Sequence, residues 1–111
     1  MYARVTMVQG PPESADASLK VIREQILPRA RDIAGFKGIL SLVNRETGKG
    51  LTATFWESDE AMKASEEAAD QLRDQAVGAV DGSELVSVER YEVELDERLG
   101  HGSVSGRTAL G

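Results

Sequence analysis

The stretch that decides the fold is Phe36–Glu57, FKGILSLVNRETGKGLTATFWE. Its first part alternates, with Ile39, Ser41 and Val43 on one side and Leu40 and Leu42 on the other, which predicts a strand from Phe36 to Asn44. Its last part alternates again: Leu51, Ala53 and Phe55 oppose Thr52, Thr54 and Trp56, predicting a strand from Leu51 to Glu57. Between them lies Arg45-Glu46-Thr47-Gly48-Lys49-Gly50, short, polar and carrying two glycines. Two period-two runs around such a loop are the signal of a β-hairpin.

Working outward, each side of the hairpin adds one helix and one strand. On the N-terminal side, Tyr2 to Gln9 alternates between Ala3, Val5, Met7 and Tyr2, Arg4, Thr6, Val8, and Gly10-Pro11-Pro12 ends that strand. From about Ala15 the period lengthens, and Leu19, Ile22, Ile26, Ala30 and Ile33 form one apolar helical stripe. Pro28 falls inside this helix and is expected to kink or divide it, because proline removes a donor and crowds the preceding turn. Gly35 provides the stop. On the C-terminal side, Ser58 is a capping residue and Asp59 and Glu60 suit the positive end of a helix dipole. The alanine-rich segment Asp59–Val77 is predicted helical, with Ala61, Met62, Ser65, Ala68, Ala69, Leu72 and Ala76 facing the sheet. Leu85 to Val93 supplies the last strand, with Val86 and Val88 against Ser87, Glu89, Tyr91 and Val93.

The order β-α-β-β-α-β predicts an α+β, ferredoxin-like domain over residues 1–94: an antiparallel sheet of order 4-1-3-2 with both helices on one face. The other face is bare, yet the strands carry large apolar residues on both sides. A bare apolar sheet face is unusual in a monomer, so a homodimer formed by pairing two such faces, a dimeric α+β barrel, is expected. After Leu95 the chain turns to charge and then to glycine and serine, and residues 95–111 are expected to form a flexible tail.

Composition narrows the chemistry. The 111 residues contain no cysteine, which excludes a disulfide framework, a thiolate metal site and a cysteine nucleophile, and fits a reducing compartment. Nineteen acidic residues against 13 basic ones, a net charge of −6, make nucleic acid an improbable partner. No stretch approaches the roughly 20 apolar residues of a membrane span, and Met1–Thr6 has no leader-like pattern; a cytoplasmic protein without membrane partners is expected. No phosphate-binding glycine loop, serine-nucleophile motif or zinc-ligand spacing is present. The helix acids Glu60, Glu66, Glu67, Asp70 and Asp74 are expected to be a solvated face rather than a metal site.

Two motifs carry a resemblance. Gly35-Phe36-Lys37-Gly38 opens the second strand, and Phe55-Trp56-Glu57-Ser58-Asp59-Glu60-Ala61 ends the third and enters a helix. In this the chain, from Tyr2 to Val93, resembles the antibiotic biosynthesis monooxygenase family of the dimeric α+β barrel superfamily. The resemblance implies a homodimer and a small aromatic ligand, and it admits a cofactor-independent monooxygenase, an oxidoreductase that positions its substrate with Asn, Trp and Arg side chains. Of these, Trp56 matches by motif and Arg4 by position on a strand. Haem-degrading members resemble one another in a first-strand asparagine and a second-helix histidine. This chain has neither, its only histidine being His101, so no haem, metal or other cofactor is expected. The alternative is a non-catalytic dimer that binds a small ligand or serves as a stress or pathway accessory protein.

The candidate cavity residues are Trp56, Arg4, Thr6, Ser41, Thr52, Thr54 and Tyr91; the first strand's register predicts that they, with Glu89, share the face away from the helices. Trp56 there either walls a pocket or fills a dimer core. Arg4 and Glu89 either serve a pocket or form a cross-strand ion pair. Tyr2 and Tyr91 are proton donors only if their sites shift them from about pH 10, and His101 is an acid–base group only if the tail folds over a pocket. No catalytic residue is assigned.

Overall fold

The structure, a computed structural model, describes residues 1–97; the rest of the expected tail and His101 lie outside the described residues. Four strands, β1 (Tyr2–Gln9), β2 (Phe36–Val43), β3 (Lys49–Trp56) and β4 (Glu84–Glu92), form one antiparallel sheet of order β2-β3-β1-β4, the expected 4-1-3-2 arrangement. The hairpin turn is tightened by Asn44, whose Oδ1 accepts from the backbone N–H of Glu46 at 2.9 Å and of Thr47 at 3.2 Å.

The helical layer is broken in two places, each for a local reason. The first helix runs as α1 (Ala15–Val21), a π-helical turn (Ile22–Ile26) and α2 (Leu27–Ala30). Pro28 lacks the N–H that a continuous α-ladder would use, and the wider π-turn sits just before it. The second helix is α3 (Asp59–Ala64) followed by α4 (Glu66–Gly78), divided at Ser65. Ser58 caps α3 by accepting from Ala61 N–H at 3.0 Å. Met62, Ser65 and Leu72 are buried as expected, whereas Ala68 is exposed.

The Gly35-Phe36-Lys37-Gly38 segment has a clear physical role. The register between β2 and β3 shifts between Phe36 and Gly38, a bulge that sets Phe36 opposite Trp56, with ring centroids 5.6 Å apart and nearly perpendicular at 73°. Gly35 has φ +84°, and a Cβ there would lie 2.4 Å from that of Ala61, so α3 rests directly on this turn. Gly35→Ala combines a left-handed backbone with overpacking and should cost roughly 2–4 kcal/mol. Urea unfolding checks this: an unchanged midpoint would mean that the turn is not a constraint on the packing of α3.

Candidate functional site

Alternation along β1, β2 and β3 puts Arg4, Thr6 and Val8 beside Ile39, Ser41 and Val43 and beside Thr52, Thr54 and Trp56. This shared face turns toward the helices, not away from them, which corrects the expectation from sequence. Between it and the helical layer lies a cavity of about 240 Å³. Its floor is made of small side chains, Thr6, Ser41, Gly50, Thr52 and Thr54. Its roof is the apolar stripe Leu19, Ile22, Ile26, Ala30 and Ile33 from the first helix, with Leu72, Ala76 and Val77 from α4. A stripe of that kind normally packs down on a sheet; here the floor is too short to meet it, and only Ala30 of the stripe is fully buried. The π-turn contributes Ile22 and Ile26 to this roof.

One end of the cavity is closed by Arg4 and Trp56, which are 2 % and 1 % exposed. The Arg4 guanidinium lies over the Trp56 ring, 5.3 Å from its centroid. Its Nη2 donates to the Met62 carbonyl at 2.8 Å, to Ser65 Oγ at 3.0 Å and to the Glu66 carboxylate. Trp56 Nε1 donates to Thr54 Oγ1 at 3.0 Å. A charge this deeply buried needs a partner, and Glu66 supplies it. Glu66 also accepts from both Nε and Nη2 of Arg90 on β4. The Arg90 contact, aided by Arg4, holds the Glu66 carboxyl at about 2, against partial burial that would raise it. Arg73 of α4 also lines the cavity; burial pulls its guanidinium below its usual range.

Arg4, Thr6, Ser41, Thr52, Thr54 and Trp56 therefore meet around one volume. Tyr91 does not line it. The register pairs Tyr91 with Ala3 and Glu89 with Val5, so both turn to the opposite face, where the exposed Tyr91 hydroxyl donates to Glu89 at 2.9 Å. A one-residue difference in strand register exchanges the two faces, and on β4 it is Arg90, not Glu89, that reaches the helical side. The expected Arg4–Glu89 ion pair is thus replaced by Arg4–Glu66, and Glu66 is not simply a solvated acid. Arg73 escaped the sequence reading although it carried a signal: it lies within the helical series Ala69, Leu72, Arg73, Ala76, where only small or apolar residues are expected. Among the described residues no group of three or more His, Cys, Asp or Glu side chains could hold a metal ion.

Because the folded-state value of Glu66 lies below the ordinary 4.5, its contribution to stability is complete above that value and is lost as pH falls toward about 2. With the carboxylate partly open to solvent, this amounts to something on the order of 2 kcal/mol. Glu66→Gln should remove that component, so its urea midpoint should fall less than the parent's between about pH 5 and about pH 2.5. Parallel curves would show that Glu66 is not ion-paired in solution.

No protein-family model matches the chain. Two uncharacterized proteins of Mycobacterium tuberculosis are similar to it, one 34% identical over 98 residues and the other 31% identical over 106 residues. The chain spans only 41% and 46% of their respective lengths, while 88% and 96% of the chain is matched. Among solved structures, the haem-degrading protein MhuD of M. tuberculosis superimposes with a TM-score of 0.69 at 20% identity, over 88% of this chain and 100% of that one. A Streptomyces coelicolor monooxygenase in complex with nanaomycin D gives 0.62 at 12% identity, covering 87% and 92% of the two chains. A cofactor-independent oxygenase from Streptomyces nogalater gives 0.60 at 12%, covering 86% and 94%. These superpositions and the sheet order show that the chain has the ferredoxin-like α+β fold of the antibiotic biosynthesis monooxygenases.

Proposed function

We propose that the chain binds a small aromatic molecule in the cavity and oxidises it with dioxygen, as a cofactor-independent monooxygenase. The observation that supports this is the meeting of Trp56 and Arg4 at the end of an apolar-roofed cavity whose floor carries three threonines and a serine. At about 240 Å³ it is slightly smaller than the usual ligand pocket and suits a molecule of two or three fused rings.

The lining determines which chemistry is open to it. Among the described residues no carboxylate, imidazole or phenol lines the cavity, so none of those lining groups readily accepts a proton. What lines it are guanidinium and hydroxyl donors, which stabilise an anion once it exists. The substrate must therefore be acidic enough to form its own anion, as a quinol or an anthrone is. Its anion gives an electron pair to dioxygen, a carbon–oxygen bond forms, and the resulting hydroperoxide loses water to leave a quinone. One oxygen atom ends in the product and one in water, with every electron drawn from the substrate. Trp56 would stack on the rings and Arg4 would stabilise the charge. The described lining does not suit haem: among the described residues no His, Cys, Tyr or Met side chain lines the cavity to ligate iron.

Oxygen uptake with an anthrone or naphthohydroquinone tests this reading. The expected result is one dioxygen consumed per quinone formed, reduced at least about tenfold by Trp56→Ala. No uptake above the buffer rate, or uptake indifferent to Trp56→Ala, would dispose of it. The absence of a proton acceptor also favours a second reading, a non-catalytic ligand carrier. In that case ligand quenches Trp56 fluorescence and no oxygen is consumed.

A second copy of the chain is proposed to cover the open sheet face. Val5, Met7, Leu40, Leu42, Leu51, Phe55 and Tyr91 share that face, with Leu42 53% and Tyr91 49% exposed. Four strands of this length present roughly 500 Å² in plan, and side-chain relief brings this near the about 800 Å² per partner of a standard interface. Sedimentation at micromolar concentration should give the mass of two chains, and Leu40→Glu with Leu42→Glu should give the mass of one. A parent protein that sediments as one chain would remove this proposal.

A further inference from the structure

Although the chain carries a net charge of −6, none of the described Asp or Glu residues lines the cavity, whereas Arg4, Arg73 and Arg45 do. Two of these arginines stand at or near the closed end, and their charge is incompletely balanced there. Arg73 interacts electrostatically with Arg4, Arg90 and Glu66, and its further partners are Asp70, whose side chain is 60% exposed, and Asp74, also exposed. Three guanidinium groups face three carboxylates, but Asp70 and Asp74 are both exposed to water, where their charge is well screened, and only Glu66 is partly buried. The Arg4 guanidinium is also only partly satisfied: Nη2 has three acceptors, but Nε is buried without one among the described residues. A buried N–H left without an acceptor is costly, and more so when it belongs to a charged group. Both facts favour negative charge in the same place.

We infer that the closed end of the cavity is an anion subsite, in which Arg4 and Arg73 receive the carboxylate of an aromatic acid whose rings lie under the Leu19, Ile22, Ile26 and Ile33 roof. This rests on the reading of the cavity as a ligand site and narrows its ligand to a compact apolar monoanion. A carboxylate matches the donor geometry because a guanidinium presents its N–H groups as a planar fork. The apolar roof and hydroxyl-bearing floor then select a flat body over a flexible or highly charged one. Arg45 stands apart at the hairpin, exposed and paired with Asp16 at 2.9 Å, and takes no part in the subsite.

Trp56 is the chain's only tryptophan, so its fluorescence reports directly on this end of the cavity. The probes are naphthalene-2-carboxylate and the uncharged naphthalene-2-carboxamide, titrated into the full chain at neutral pH. The carboxylate should quench at a concentration at least about tenfold lower than the amide, a difference in keeping with one charge-assisted hydrogen-bonded contact. Arg73→Met should bring the two probes within about twofold of each other, the larger loss falling on the carboxylate. Arg45→Met should preserve the full preference. Equal binding of both probes to the parent, or loss of the preference in Arg45→Met but not in Arg73→Met, overturns the subsite and leaves the cavity reading standing. If neither probe quenches Trp56 at millimolar concentration, the cavity reading falls and the subsite with it.

Discussion

The buried guanidinium of Arg4 is the constraint on which the rest of the structure depends. It projects from the first strand into the joint between α3 and α4 and binds a carbonyl, a hydroxyl and a carboxylate there. These three acceptors exist together because the second helix is broken at Ser65, whose Oγ also donates to the Met62 carbonyl at 2.7 Å. A continuous helix would use that carbonyl internally and hold the serine elsewhere. The charge is tolerable in this position because Glu66 approaches it from one side and the Trp56 ring from the other. Arg90 then ties Glu66 to the fourth strand. One polar cluster thereby fixes the second helix against both β1 and β4.

That clamp acts at one end of the molecule only, and the cavity is its consequence. Beyond Trp56 the sheet offers threonine, serine and glycine, while the first helix offers leucine and isoleucine. Large residues opposite small ones would ordinarily interdigitate and close the gap. Here the layers are held apart by the clamp at one end and by the Phe36–Trp56 contact beside it. The π-turn before Pro28 relieves what would otherwise be a broken ladder and turns two isoleucines onto the roof. On the sheet's other face the leucines and Tyr91 are uncovered, beside Glu89.

Polarity within the cavity follows from the same arrangement. The acids of this acidic chain are drawn to the outer surfaces of the helices, and those that approach the interior are taken up by arginines. What remains facing inward is donor-rich and acceptor-poor, an environment that stabilises negative charge and does little to create it. Such a site is compatible with the proposed chemistry, in which the bound molecule ionises by its own acidity. The fold is shared with a haem-degrading protein and with a cofactor-independent oxygenase. What separates the two here is the set of side chains around the cavity, not the backbone.

Period-two alternation in Phe36–Glu57 and around Arg4, together with two helical periods, was enough to establish the strands, their order and the grouping of Arg4, Thr6, Ser41, Thr52, Thr54 and Trp56 on one face. Those are local properties of a chain with a short repeat. Alternation cannot say which of two faces meets the helices, because exchanging the faces leaves the pattern unchanged. That choice came from long-range partners: a carbonyl, a hydroxyl and a carboxylate some sixty positions away that satisfy Arg4, and Glu66 reached by Arg90 rather than Glu89. Tyr91 fell on the far side for the same reason. The sequence by itself determined that these six residues stand together; only the tertiary structure decided that they look inward and that Tyr91 and Glu89 do not join them, because a buried charge settles where its acceptors are.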